Sequence, residues 1–149
     1  MLQITIKNFS ELTTNELYEI LQLRSEVFVV EQDCVYQDID FKDQKALHVM
    51  GCKNNKIIAY TRIFKPNDYF EKASIGRVVV AKNERINKYG FQIMKASIKT
   101  IETFLNENEI KISAQKYLRK FYESLGFKMI GEEYLEDGIP HIGMIKINE

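Results

Sequence analysis

Between Ile75 and Ile98 the chain reads IGRVVVAKNERINKYGFQIMKASI, and this stretch limits the fold more than any other. Val78, Val79, Val80 and Ala81 are continuously apolar, as in a strand covered on both faces. Asn83 and Glu84 interrupt the run. After Arg85, Lys88 and Gly90, apolar residues recur at helical spacing through Phe91, Met94, Ile98 and Ile101. A loop leading from a strand into a helix offers unpaired backbone N–H groups and the positive end of the helix dipole, which suits phosphate. The charges agree: from Lys82 to Lys99 the chain carries Lys82, Arg85, Lys88, Lys95 and Lys99 against Glu84 alone. Taken by itself, such a loop is more often simply solvated.

The 149 residues suffice for one domain with a proper core and are too few for two. With 21 basic and 21 acidic residues the formal net charge is zero, which argues against nucleic acid or an anionic membrane as partner. No apolar run approaches the length of a bilayer span, and MLQITIKNF alternates like a strand instead of reading as a signal peptide. Cys34 and Cys52 fit a reducing cytoplasm and are expected to stay unpaired. Cys34, Cys52, His48 and His141 lack metal-ligand spacing, so no metal is expected.

MLQITIK predicts a first strand. Thr13 and Glu16 form a capping box ahead of a helix reaching about Phe28. LHVMGCK and KIIAYTRIF flank Asn54-Asn55 as a hairpin. The Ile75–Ala81 strand, the basic loop and a helix from about Tyr89 to Leu105 follow. IKISA is a short strand, QKYLRKFYESL a helix that Gly126 can end, and FKMIGEEYL with HIGMIKI a last hairpin around Asp137-Gly138. The strand–helix–strand unit makes a parallel crossover, while the hairpins are antiparallel. The expected fold is therefore α+β, with a central mixed parallel/antiparallel sheet flanked by helices and its parallel part near the basic loop.

The strand, the loop Arg85-x-x-Lys88-x-Gly90 and AQKYLRKFYESLGF together resemble the GNAT superfamily of acyl-CoA-dependent N-acetyltransferases. VFVVEQDCVYQDID, IGRVVV, AQ-x-x-L-x-x-FYESLGF and DGIPHIGM, in that order along nearly the whole chain, are similar to its ElaA-like branch. One position departs: Lys88 stands where the superfamily loop usually has its first glycine, which lets the main chain approach a diphosphate closely.

The resemblance implies acetyl transfer from acetyl-CoA to a primary amine of a small molecule or protein, in a ternary complex. It implies that the N–H groups of Arg85, Ile86, Asn87, Lys88, Tyr89, Gly90 and Phe91 receive the diphosphate. Val78, Val79 and Val80 would pair with the pantetheine arm and hold the thioester oxygen, and Gln115 would hold the arm from the next strand. Tyr122, three residues before Leu-Gly-Phe, would protonate the departing thiol, since a phenol both donates and accepts. For an isolated tyrosine at helical spacing with Leu118 and Leu125, core packing is the default reading.

The acceptor side is open at this level. From Glu31 to Asp43 the acids Glu31, Asp33, Asp38, Asp40 and Asp43 face Lys42 alone, and Phe28, Val29, Val30 and Tyr36 would wall a pocket there. Glu31, Asp38 and Asp40 are candidates to attract a cationic amine and accept its proton, and His48 and His141 are further candidate bases. Such an acidic stretch is more often a solvated loop, and His48, in an apolar strand, reads first as a hydrogen-bonded structural histidine. The alternative is a non-catalytic acyl-CoA-binding or sensing module. Superfamily members often pair, which leaves a homodimer open.

Overall fold

The computed structural model describes residues 2–148. Its seven described strands are β1 (Gln3–Asn8), β2 (Leu47–Lys53), β3 (Lys56–Phe64), β4 (Ala73–Val80), β5 (Glu109–Gln115), β6 (Lys128–Glu136) and β7 (Ile139–Ile147). They form one sheet in the order β1-β2-β3-β4-β5-β7-β6. The helices are α1 (Thr14–Arg24), α2 (Tyr89–Thr103) and α3 (Arg119–Ser124). Both hairpins lie where the turn residues place them, and Asn54, Asn55 and Asp137 take the positive φ that such turns need.

Helix α1 starts with its capping box: the Glu16 N–H donates to Thr13 Oγ1 (3.0 Å) and the Thr13 N–H to Glu16 Oε1 (2.8 Å). It does not stop at Phe28. After Arg24 it widens into a π-helical turn, Ser25–Glu31, that carries Phe28 and Glu31 toward the sheet centre. Helix α2 buries Ile93, Met94, Ile98 and Ile101 against one sheet face. Each such side chain contributes about 1.5–3 kcal/mol. Ile20, Leu23 and Val27 cover the opposite face together with Met50, Tyr60 and Val79. Within β4 the pleat therefore sends Val79 to the α1 face, while Val78 and Val80 pack toward the α2 face.

The centre of the sheet is broken. β4 and β5 are parallel, yet only Ala73↔Ile110 and Ser74↔Lys111 are partnered. This corrects the expected placement: the parallel pairing lies at the far end from the basic loop, and the two strands have separated where β4 approaches it. A bulge supplies a local cause. The β3–β4 register shifts between Tyr60↔Val79 and Arg62↔Gly76, and Arg77 has φ +49°. The extra residue bends β4 away from its neighbour.

Candidate active site

The gap between β4 and β5 opens into a cleft of about 690 Å³. Val78, Val79 and Val80 form its β4 wall, and Gln115 with Tyr122 its β5–α3 wall. Arg85, Lys88, Gly90 and Phe91 lie at the α2 end, and Glu31 closes the side formed by the π-helical turn. The basic loop is a 3-10 turn, Lys82–Asn87, ending on Lys88 in the left-handed conformation (φ +59°). Lys88 thus holds the backbone shape that glycine adopts without penalty. The first N–H groups of α2, on Tyr89, Gly90 and Phe91, have no acceptor inside the helix. The side chains of Ile86, Asn87 and Tyr89 are absent from the cleft lining. Ile86 is exposed, and Tyr89 turns into the core with the Lys53 ammonium 5.8 Å from its ring.

Two pairs of side chains bridge the cleft. Arg85 donates to both carboxylate oxygens of Glu31, at 2.5 and 2.8 Å, and to the Val80 carbonyl at 3.1 Å. These bonds hold the Glu31 carboxyl below its ordinary range. Gln32 and Gln115 exchange amide hydrogen bonds at 3.3–3.4 Å. Phe28 walls the cleft as the sequence placed it, whereas Val27, Gln32, Tyr117, Leu118 and Phe121, which also line it, were outside the sequence-based site. Tyr36 lines the neighbouring cavity as anticipated, whereas Val30 faces solvent.

Tyr122 is placed by the Leu-Gly-Phe triplet. Gly126 (φ +98°) ends α3, and the Phe127 N–H returns to the Tyr122 carbonyl at 3.1 Å. The Phe127 ring then stands edge-on to Tyr122, centroids 6.1 Å apart. Tyr122 is 5% exposed, and among the described residues its hydroxyl makes no hydrogen bond. Burial, with a smaller push from Tyr117, raises its pKa well above the ordinary phenol value, so it stays a proton donor.

A second cavity of about 120 Å³ meets the first at Phe28, Gln32, Val78, Gln115, Leu118 and Tyr122. His141 lies in its wall. His141 Nδ1 is 2.7 Å from the Ile139 carbonyl and must donate to it, which leaves Nε2 as the lone-pair nitrogen of the neutral ring. Glu136 Oε2 lies 3.4 Å from Nε2, and Ser113 Oγ donates to Glu136 Oε1 at 3.0 Å.

The acidic stretch behaves differently from the expectation. Asp38, Asp40 and Asp43 do not present a free anionic surface, because three buried or half-buried guanidiniums consume them. Arg24 Nε pairs with Asp38 (2.9 Å), and Arg24 Nη1 and Arg62 Nη1 share Asp43 Oδ1 (2.8 and 2.9 Å). Arg62 Nη2 holds Asp40 (2.6 Å), and Arg77 reaches Asp38 (2.8 Å) and Asp40 (3.4 Å). Burial alone would raise the carboxyl of Asp40, but the bonds and charge of Arg62, with Arg77, hold it at about 2. Asp38 and Asp40 line neither cavity. His48 is also corrected: it is fully buried, its Nε2 donates to the Asp43 carbonyl (2.9 Å), and its Nδ1 accepts from Tyr60 (2.6 Å). Burial lowers its pKa, so it is a neutral structural ring. Among the described residues no group of three or more His, Cys, Asp or Glu side chains is arranged to hold a metal, both cysteines are free, and no helix is long and apolar enough to cross a membrane.

Comparison with known proteins fits this geometry. A family model described as an acetyltransferase (GNAT) domain matches residues 10–148. Protein ElaA of Escherichia coli is 45% identical over 139 residues, 92% of this chain and 91% of that protein. Its crystal structure superposes with a TM-score of 0.89 at 42% identity, covering 98% of this chain and 99% of that one. An acyl-CoA N-acyltransferase from Pseudomonas aeruginosa gives a TM-score of 0.92 at 39% identity over 98% and 99% of the two chains. A GNAT family acetyltransferase from Elizabethkingia anophelis, solved with acetyl-CoA bound, shares the fold at 17% identity and a TM-score of 0.66, over 97% and 98%. Matched by the family model along almost all of its length, with close relatives equally well covered, the chain belongs to the GNAT acetyltransferase family.

Proposed function

We propose that this protein is an acyl-CoA-dependent N-acetyltransferase that moves the acetyl group of acetyl-CoA onto a primary amine by direct attack. The observation that carries this reading is the meeting of two cavities at Tyr122. The larger is mostly apolar in its walls and reaches the α2 N-terminus; the smaller has walls of mixed polar and apolar character. A cofactor arm and an acceptor entering from opposite sides would meet there.

Each residue then has a task. The N–H groups at the start of α2, with Lys88 and Arg85, would hold the diphosphate. Main-chain groups of Val78–Val80 on the strand edge that faces the gap would align the pantetheine arm and polarise the thioester oxygen. Gln115 would release Gln32 and bond the arm. Acetyl-CoA supplies the activated acyl group. Tyr122 would donate a proton to the thiolate as the carbon–sulfur bond breaks. Its raised pKa makes complete ionisation costly, but the thiolate in the same dry cleft is destabilised as well. His141 Nε2 would take the proton of the attacking amine, with Glu136 stabilising the imidazolium and passing the proton to solvent.

The test is thiol release from acetyl-CoA with a panel of small amines, with products read by mass spectrometry. His141→Gln should lower kcat/KM about 10²–10⁴-fold near neutral pH and recover at a pH where the amine is already unprotonated. A panel in which no amine is acetylated, despite saturable acetyl-CoA binding, would leave the non-catalytic module as the better account.

A further inference from the structure

Two residues in the wall of the small cavity carry buried polar atoms without a hydrogen-bond partner. Arg62 Nε and Ser74 Oγ have no hydrogen-bond partner, although each residue is only 1% exposed. Such groups cost free energy when left empty, so their retention in a cavity wall points to a ligand. Arg62 sits on β3 opposite Gly76 of β4, and Ser74 lies two residues before Gly76. All three residues line the cavity. Gly76 leaves free space beside the arginine: a methyl group built on it would meet Arg62 Nε at 4.0 Å and nothing nearer. Both atoms can donate, and Arg62 Nε can only donate.

We propose that the acceptor is an amine carrying a neutral carbonyl oxygen close to its nitrogen, as in an amino-acid amide or a peptide N-terminus. This rests on the acetyltransferase reading. Arg62 Nε–H and Ser74 Oγ–H receive the oxygen, and the amine lies toward His141 and Tyr122 on the other wall. A neutral oxygen fits better than a carboxylate because the guanidinium charge is already spent. Arg24, Arg62 and Arg77 are balanced by Asp38, Asp40 and Asp43, and Glu136 and Asp137 add negative charge to the lining. A buried carboxylate would find no net positive partner. The cavity's volume of about 120 Å³ is that of one small residue.

The experiment compares glycinamide, glycine and propylamine as acceptors, with rates expressed per unprotonated amine. Glycinamide should exceed propylamine in kcat/KM by about tenfold or more, the scale of a hydrogen bond to a buried donor, and should exceed glycine as well. Ser74→Ala and Gly76→Ala should each shrink the glycinamide advantage while changing the propylamine rate little; the added methyl at Gly76 meets ordinary contact distances, so folding is preserved. Equal rates for propylamine and glycinamide, a preference for glycine, or a glycinamide advantage untouched in both variants would overturn the proposal. Turnover of none of the three, with acetyl-CoA still bound, would strike at the acetyltransferase reading itself.

Discussion

Replacing Tyr122 by phenylalanine separates chemistry from architecture, because the structure gives the hydroxyl no structural duty. The ring packs edge-on against Phe121 and Phe127, centroids 5.1 and 6.1 Å away, and phenylalanine keeps those contacts. The hydroxyl has no protein partner whose loss would strand a buried group, so stability should change by less than about 1 kcal/mol. The ring still walls the cleft, so acetyl-CoA affinity should be preserved. If the hydroxyl protonates the leaving thiolate, kcat should fall about 10²–10⁴-fold, or roughly 2.7–5.4 kcal/mol in the barrier. Steady-state thiol release, calorimetric titration with acetyl-CoA and thermal unfolding together make the assay. Because burial raises the Tyr122 pKa, the wild-type alkaline limb should not decline near pH 10, where an ordinary phenol ionises. A variant with normal kcat, or one that loses turnover only in step with its melting temperature, would refute the acid role.

Asp43→Asn should cost about 3–5 kcal/mol, or roughly 10–15 °C in melting temperature, because Arg24 and Arg62 share its Oδ1 and three buried or half-buried guanidiniums would then face only Asp38 and Asp40, leaving one positive charge uncompensated. Urea denaturation checks this, and a loss below about 1 kcal/mol would contradict it. In the wild type, Asp40 and Asp43 both titrate below their ordinary value of 3.8 when folded, so their contribution is complete above that pH and is lost as pH falls toward the folded pKa of about 2 for Asp40. Acid titration followed by circular dichroism should therefore show unfolding below about pH 4, and flat stability down to pH 2 would count against the ion-pair account. Glu31→Gln removes the clasp on Arg85 and a negative charge near the start of α2, where the proposed diphosphate would sit. The pair is partly solvated and worth under about 1 kcal/mol, so acetyl-CoA should bind about two- to fivefold more tightly at low salt. Weaker binding would show that Glu31 supports the site instead of competing for Arg85.

Much of the fold was legible because its signals are local. The Thr13–Glu16 box, the Asn54-Asn55 and Asp137-Gly138 turns and Gly126 each act through their own backbone, and each element formed within a few residues of its expected place. Periodicity could not give the π-helical turn at Ser25–Glu31, since its apolar run suits several helical pitches. Nor could it give the end at which β4 and β5 pair, which depends on the bulge at Arg77. The acidic stretch misled for a related reason: Arg24, Arg62 and Arg77 come from three separate elements, and their convergence on Asp38, Asp40 and Asp43 is a tertiary fact with no spacing to reveal it. The apolar strand around His48 already favoured the hydrogen-bonded structural ring that the fold shows, whereas His141 and Glu136 meet through strand pairing around the last hairpin, which no spacing announces.

The most direct measurement is a crystal structure of the protein with acetyl-CoA. The account predicts the diphosphate against the first turn of α2, the pantetheine arm along Val78–Val80 inside the β4–β5 gap, the Glu31–Arg85 bridge parted, and the thioester sulfur within hydrogen-bonding reach of Tyr122. A cofactor bound elsewhere, or one whose sulfur lies remote from Tyr122 while Gln32 and Gln115 still close the gap, would contradict it.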